Sequence, residues 1–314
     1  MMPRTDWLGR TARICAAVCI ATCGATGAAF AGGQSTAGAT PAPDMSRIVS
    51  IGGDVTEIIY LLGNGDRIIA VDTTSQFPPE ALKDKKSVGY LRALSSEGVL
   101  ALNPTAIIAS AAAGPPEVVK ALKSSSVSYV EIGNDTSPEG VVDKISAVAK
   151  VLGAEAAGET IINRTRESFA SLAELRKKID KPKRVLFVLT AQNGRAIVGG
   201  KGTSADAILR LAGAENAAAS VNGFKPLVDE AIIELAPDFI LLMRRGDGND
   251  GHKDILALKG ISSTPAGREN RIITMDGPYL LEFGPRSPAA ARELLASLYP
   301  NVSTTTGNPE PQAK

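Results

Sequence analysis

One histidine and one tryptophan are all that a chain of 314 residues contains, and its three cysteines all fall within the first 23 positions. So few imidazoles and thiols exclude a His-rich zinc site, an iron–sulfur cluster or a four-cysteine cage. Metal chemistry, if present, must use oxygen ligands or a prefabricated cofactor. Net charge is missing too: 34 Lys and Arg stand against 33 Asp and Glu, which leaves a diffuse nucleic-acid-binding role without a charge excess. The chain has no Gly-x-Ser-x-Gly elbow and no Gly-rich phosphate loop, and a lone His leaves the usual acid–base constellations incomplete. The segment Val198-Gly-Gly-Lys-Gly-Thr-Ser lacks the spacing of a phosphate loop and reads as the cap of a helix starting near Ser204. A hydrophobic fraction of 44% suits a packed core in one large or two medium domains.

What is present begins with the N-terminus. Arg4, Arg10 and Arg13 precede an apolar run from Ile14 to Ala29, which ends in Ala29-Phe30-Ala31. That order is a secretory signal peptide over residues 1–31, cleaved after Ala31. The run is short for a membrane span and is interrupted by Gly24 and Gly27. A lipid anchor on Cys23 is the alternative, with Thr22 an awkward residue before it. Cleavage removes every cysteine and the tryptophan, leaving eleven aromatics and 31 basic against 32 acidic residues. An exported chain that needs no oxidative folding and has no further spanning stretch is expected in the periplasm. Residues 32–45 read as a flexible leader and residues 301–314 as a disordered tail.

Between them strands and helices alternate. Strands are predicted at Arg47–Ile51, Arg67–Val71, Ala106–Ala109 and Ser128–Ile132, with helices at Asp54–Leu62 and Pro115–Leu122. The idiom repeats with strands at Arg184–Leu189, Phe239–Met243 and Arg271–Thr274 and helices at Ser204–Leu211 and Pro288–Leu298. Such alternation implies an α/β fold with mostly parallel sheets, here as two Rossmann-like lobes over residues 46–137 and 181–300. Residues 138–180 carry apolar residues at helical spacing (Val141, Ile145, Val148, Leu152, Ile162, Phe169, Leu172) and are expected to form the linking helix, about 60 Å long at 1.5 Å per residue. A pair of helices broken near Gly153 or Gly158 is the other reading.

The halves also match each other. Glu97-Gly-Val-Leu-Ala-Leu-Asn-Pro104 and Glu230-Ala-Ile-Ile-Glu-Leu-Ala-Pro237 each place a Glu seven residues before a Pro that stops a helix and precedes a buried strand. Helix–Leu-x-Pro–strand is common in α/β proteins and accounts for the Leu and Pro; it accounts less well for the matched Glu. The pattern points to pseudo-equivalent lobes.

Two α/β lobes with one helical crossing resemble the bacterial solute-binding proteins of the iron-complex and cobalamin import class, over residues 47–298. Ser50-Ile-Gly-Gly-Asp-Val-Thr-Glu-Ile, Gly89-Tyr-Leu-Arg-Ala-Leu-Ser and Phe283-Gly-Pro-Arg are similar to the haem-uptake branch in particular. The resemblance implies a binding protein without catalysis of its own, with haem as transported ligand. It would deliver haem to an ABC permease dimer with its ATPase, downstream of an outer-membrane haem receptor. A carrier of cobalamin or a ferric siderophore is the alternative within the class, and a periplasmic enzyme on the same lobes the alternative outside it.

Under that resemblance Tyr90 is the expected axial ligand of the haem iron, since a hard phenolate oxygen favours Fe(III). Free Tyr ionises near pH 10, so ligation at neutral pH needs the metal and a nearby cation. Arg92 is expected to supply it, because residues i and i+2 of an extended segment project to the same side. Most other tyrosines read as core residues: Tyr60 in a helix, Tyr129 in a strand and Tyr299 at the end of the last helix. Tyr279 is placed in a loop and is a candidate cleft residue and second ligand. Arg244 and Arg245, at the carboxyl end of a parallel strand where such sheets place ligands, are candidates for the haem propionates, each equally readable as solvated surface. Lys85 and Lys86 read as surface charge. Some relatives use a His from the second lobe or stack two haems; His252 sits in a polar Gly-rich loop here, so a single haem is expected. Glu97 and Glu230, one per lobe, are the candidates for docking on a two-fold symmetric permease, and they equally suit first-turn positions in the helix dipole.

Overall fold

A run of four or five consecutive buried residues is what a central parallel strand requires, because helices cover both faces of its sheet. The computed structural model, which describes residues 43–244 and 252–302, places two such runs side by side. β1 (Ile48–Ile51) is followed by α1 (Gly53–Leu61), β2 (Ile68–Val71), α2 (Pro79–Asp84), β3 (Lys86–Ser87) and α3 (Ser96–Leu100). β4 (Ala106–Ser110), α4 (Pro116–Lys123) and β5 (Ser128–Ile132) complete the first sheet. Its order is β3-β2-β1-β4-β5, parallel throughout, with Ile48 opposite Ala106 and every residue of β1 and β4 buried.

The connecting segment is two helices, α5 (Pro138–Leu152) and α6 (Glu155–Arg176), and not the single helix expected over residues 138–180. Gly153 causes the break. It caps α5 in the left-handed conformation (φ 65°), which glycine adopts without steric cost. At 22 residues, α6 is about 33 Å long. α5 starts at Pro138 behind Ser137, whose hydroxyl accepts from Gly140 N at 3.0 Å, a standard N-terminal signal.

β6 (Arg184–Gln192), β7 (Arg195–Gly199), α7 (Ser204–Leu211), β8 (Glu215–Asn216), β9 (Phe224–Leu227), α8 (Asp229–Leu235) and β10 (Phe239–Arg244) follow. Then come α9 (His252–Leu256), α10 (Lys259–Ser262), α11 (Pro265–Arg268), β11 (Ile272–Asp276), α12 (Gly277–Leu281) and α13 (Ser287–Leu298). The second sheet runs β11-β10-β6-β7-β9, with β8 also on β6. It is parallel, as expected, at β11–β10, β10–β6 and β6–β8, and departs from that order at one edge, where β6–β7 and β7–β9 are antiparallel. The reason is local. Asn193 (φ 52°) and Gly194 (φ 71°) form a two-residue turn between the paired Gln192 and Arg195, and Asn-Gly is the strongest short hairpin signal. Thr203 caps α7, accepting from Asp206 N at 3.1 Å, so the Gly-rich segment before it is a helix cap, as its spacing suggested.

Alternation along the strands distributes the core. Ile48 and Ile108 of the first sheet, and Val185, Phe187 and Leu241 of the second, point into one shared apolar cluster with faces of α1, α5, α6, α7 and α13. Their sequence neighbours Val49, Ile107 and Ala109 point into an outer cluster of the first lobe, and Leu186, Ile240 and Leu242 into an outer cluster of the second. Both sheets therefore contribute to a single central core. Gly153→Val should cost about 1–2 kcal/mol, the penalty of a side chain in the left-handed region; urea unfolding should show a lower midpoint at unchanged slope.

Candidate functional site

In parallel α/β sheets ligands sit beyond the carboxyl ends of the strands, and the loops that leave those ends carry most of the candidate residues here. Tyr90 follows β3 and is 46% exposed. Its backbone, in contrast, is held on two sides. Thr73 N, in the loop after β2, donates to Gly89 O at 2.9 Å, and Gly114, in the loop after β4, donates to Leu91 O at 2.8 Å and accepts from Leu94 N at 3.0 Å. Leu91 and Leu94 are buried below. The clamp leaves one ring standing in solvent on a fixed base.

The geometry corrects one expectation. Ala93 N donates to Tyr90 O at 2.8 Å, so Tyr90 to Ala93 is a β-turn with Leu91 and Arg92 at its centre. The segment is not extended, and the i, i+2 argument for setting the Arg92 guanidinium beside the phenol does not hold. Arg92 is exposed on the same turn. Gly89, at φ 85° with open space where a Cβ would stand, makes the entry into this turn possible.

The other candidates are spread over both lobes. Arg244 is exposed at the end of β10, opposite Asp276 in register, while Arg245 lies outside the described residues. Tyr279 sits in the short helix α12 and not in a loop; its N–H donates to Asp276 Oδ1 at 3.0 Å. His252 opens helix α9, with Nε2 3.1 Å from Asn270 Oδ1. Lys85 is half-buried and Lys86 exposed in β3. Glu97 and Glu230 occupy the exposed first turns of α3 and α8. Each of those helices leads into the strand beside its lobe's opening strand, β4 on β1 and β10 on β6. Tyr60 is half-buried in α1. Tyr129 in β5 is pushed up to about 12 by burial and by the Glu131 carboxylate. The Tyr299 hydroxyl accepts from Lys183 N at 2.8 Å and donates to Gly213 O at 2.9 Å. None of these three is a ligand candidate.

Sequence reasoning missed a buried polar seam where the two halves meet. Lys144 Nζ on α5 lies 2.7 Å from Asp54 Oδ2 on α1, with the two side chains 2% and 7% exposed. The same ammonium donates to Phe283 O at 3.1 Å and Glu282 O at 3.4 Å, carbonyls just before α13. Phe283 is buried at φ 55°, a strained position for an aromatic residue, and Lys144 binds its carbonyl. Arg286 Nε donates to Glu57 Oε2 at 3.0 Å. The guanidinium also stacks 3.7 Å from the Phe77 ring and 5.1 Å from the Tyr279 ring, joining an aromatic from the loop after β2 to one from α12. The motifs Ser50–Ile58 and Phe283–Arg286 thus build the seam. A signal did exist: Lys144 lies on the apolar stripe Val141–Ile145–Val148, where a charge must be paired.

Carboxylates outnumber cations there. Glu282 Oε1 is enclosed and has no hydrogen-bond partner, and its carboxyl closes on Gly53 so tightly that any Cβ would collide with it. Burial first, then the charges of Asp54, Asp72 and Glu57, push its pKa well above the usual carboxylate value, against the pull of Arg286. Glu57 is raised too, because burial outweighs its Arg286 partner. Among the described residues no group of three or more His, Cys, Asp or Glu is arranged to hold a metal ion, and no helix is long and apolar enough to cross a membrane.

Comparisons with known proteins agree on the class. The family model described as periplasmic binding protein matches residues 48–279. Among solved structures, the periplasmic heme-binding protein RhuT from Roseiflexus sp. RS-1 in apo form is 36% identical, with a TM-score of 0.77, over 83% of this chain and 100% of that one. The periplasmic heme-binding protein BhuT in complex with two hemes is 36% identical, TM-score 0.75, over 82% and 99%. Curated relatives include the uncharacterized ABC transporter substrate-binding lipoprotein YvrC of Bacillus subtilis, 28% identical over 82% of this chain and 81% of its own. The vitamin B12-binding protein of Vibrio parahaemolyticus is 25% identical over 80% and 88%.

The seam has measurable consequences. Lys144→Met leaves the buried Asp54 without its cation and should cost about 3–5 kcal/mol of unfolding free energy, read by urea titration. Glu282 binds its proton more tightly folded than unfolded, so its contribution falls as pH rises from about 4.5 toward its raised folded value. Glu282→Gln should therefore be more stable than wild type at pH 8, with the difference shrinking toward pH 4.

Proposed function

Because the chain belongs to the periplasmic binding protein family, we propose that it captures haem in the periplasm and delivers it to an ABC-type permease and its ATPase, performing no catalysis itself. The observation that carries this reading is Tyr90: a phenol 46% exposed, on a backbone clamped from both sides, beyond the carboxyl ends of a parallel sheet. A rigid base with a free ring suits an axial ligand, which must meet the iron without paying to order its own loop. Ligation to Fe(III) supplies the positive charge that keeps a phenolate ionised at neutral pH. Arg92 on the same turn adds a second cation, acting on the phenolate or on a propionate as the turn presents it. Arg244 at the end of β10 and Arg245 just beyond it are the propionate partners offered by the other lobe, and Tyr279 is the candidate for a sixth position.

Delivery is assigned to Glu97 and Glu230. Each stands exposed on the first turn of the helix that feeds the strand next to its lobe's first strand, an arrangement suited to a two-fold symmetric partner. Val228 and Ile233 beside Glu230 are 46% and 42% exposed, giving that acid an apolar surround of the kind that interfaces bury. The Arg-rich, apolar N-terminus with Ala31 before the cut is the route of export, and an outer-membrane haem receptor is the source upstream.

The carrier of a bulky corrinoid is the second reading, favoured by relatives named for vitamin B12. Identity to the heme-binding structures is higher, 36% over four-fifths of the chain. Titration of the purified protein with hemin and with cobalamin separates the two. Hemin should bind with a ferric tyrosinate spectrum that Tyr90→Ala abolishes, and Arg92→Ala should weaken binding about 10-fold, the scale of a supporting residue. Saturable binding of cobalamin with none of hemin would transfer the assignment. Glu97→Lys with Glu230→Lys should stop transport into vesicles bearing the permease while hemin affinity stays at the wild-type value; a loss of affinity would place both residues in the cleft.

A further inference from the structure

We propose that Asp72 is a positioning residue for Tyr90, setting the iron ligand through the backbone of the neighbouring loop; this rests on the reading of Tyr90 as that ligand. Asp72 directly follows β2 and is fully buried, and among the described residues no cation lies within ion-pair distance of it. A buried carboxylate without a counter-ion is costly and persists only where its oxygens are satisfied. Here both are. Oδ1 accepts from Gly52 N at 2.7 Å and Ser75 Oγ at 3.0 Å; Oδ2 accepts from Thr74 N at 2.9 Å and Thr74 Oγ1 at 2.7 Å.

The effect is to wrap residues 72–75 around one carboxylate and tie them to the start of α1, where Gly53 N donates to Thr74 Oγ1 at 3.1 Å. Ser75 Oγ also meets Thr56 Oγ1 at 2.8 Å, which in turn meets Ser50 Oγ at 2.7 Å. Thr73 lies inside this wrapped loop, and its N–H is the group that reaches the next loop, at Gly89 O. Gly89 has no side chain to pack and open space where a Cβ would stand, so the peptide that precedes Tyr90 is tied by hydrogen bonds, Thr73 N to Gly89 O and Gly89 N to Ser87 Oγ. Through Gly53 the same node touches Glu282 across the seam. Asn cannot replace Asp here: its amide would set a donor against Thr74 N or Gly52 N.

The test uses the mature protein with hemin as the probe. Asp72→Asn, Thr74→Val and Thr74→Ser are compared with wild type for thermal midpoint, ferric spectrum and the rate at which hemin is lost to excess apomyoglobin. Asp72→Asn should lose hemin about 10-fold faster and show a mixed or weakened tyrosinate spectrum. Thr74→Val should shift both in the same direction, and Thr74→Ser, which restores the hydroxyl, should return them to wild type. A purely structural Asp72 would lower the thermal midpoint and leave spectrum and off-rate untouched in Asp72→Asn; that result overturns the proposal. If Asp72→Asn does not fold, the same untouched readouts in Thr74→Val overturn it. Tyr90→Phe separates the foundation from the inference: a wild-type spectrum there removes the ligand reading itself, whereas its loss alongside unchanged loop variants removes only the role of Asp72.

Discussion

The contact between Lys144 and Asp54 fixes how the two halves of the molecule meet. A buried ammonium must find oxygens, and this one finds a carboxylate from the first half and two main-chain carbonyls from the second. Its partners come from two separate stretches of chain, so satisfying one charge aligns α5 with α1 and with the entry to α13. Arg286 repeats the device with Glu57 and two aromatic rings. Around these polar pairs runs an apolar core to which both sheets contribute. Lobes joined in this way present their loops in a fixed relation, and a preformed site spends less of its binding energy on ordering.

Short steps connect that seam to the site. Glu282 presses on Gly53, Gly53 binds Thr74, and the loop wrapped on Asp72 holds the carbonyl before Tyr90. The Tyr90 ring, proposed to meet the cargo, is exposed above a backbone tied by hydrogen bonds to the loops after β2 and β4. Charge is local as well: near-neutral overall, the protein exposes the charges proposed for binding and docking singly, with Arg92 on the turn after β3, Arg244 at the end of β10 and one glutamate per lobe on a first helical turn.

Much of the fold was legible in the residues. Buried runs such as Ala106–Ser110 and the stripes of α7 and α13 announce strand and helix through their periods, which packing then keeps. The matched Glu–Pro spacing marked equivalent positions in the two halves. The misses have physical causes. Asn193-Gly194 carried a hairpin signal in a region read for parallel order, and the second sheet is mixed as a result. Gly153 gave the helix break, which a continuous apolar stripe on either side obscured. The expected pairing of Tyr90 with Arg92 assumed an extended segment, whereas Leu91 and Leu94 are drawn into the core and bend it into a turn. The seam was illegible for a deeper reason: Asp54 and Lys144 are 90 residues apart, and only the fold tells a charged residue which distant partner will justify its burial.

Tyrosinate ligation of haem iron is the central claim, and resonance Raman spectroscopy of the hemin-loaded protein reads it directly. Iron–phenolate and tyrosinate ring vibrations in the wild-type ferric complex are the predicted result. A spectrum of histidine-ligated or water-ligated ferric haem, with no phenolate modes, would contradict it.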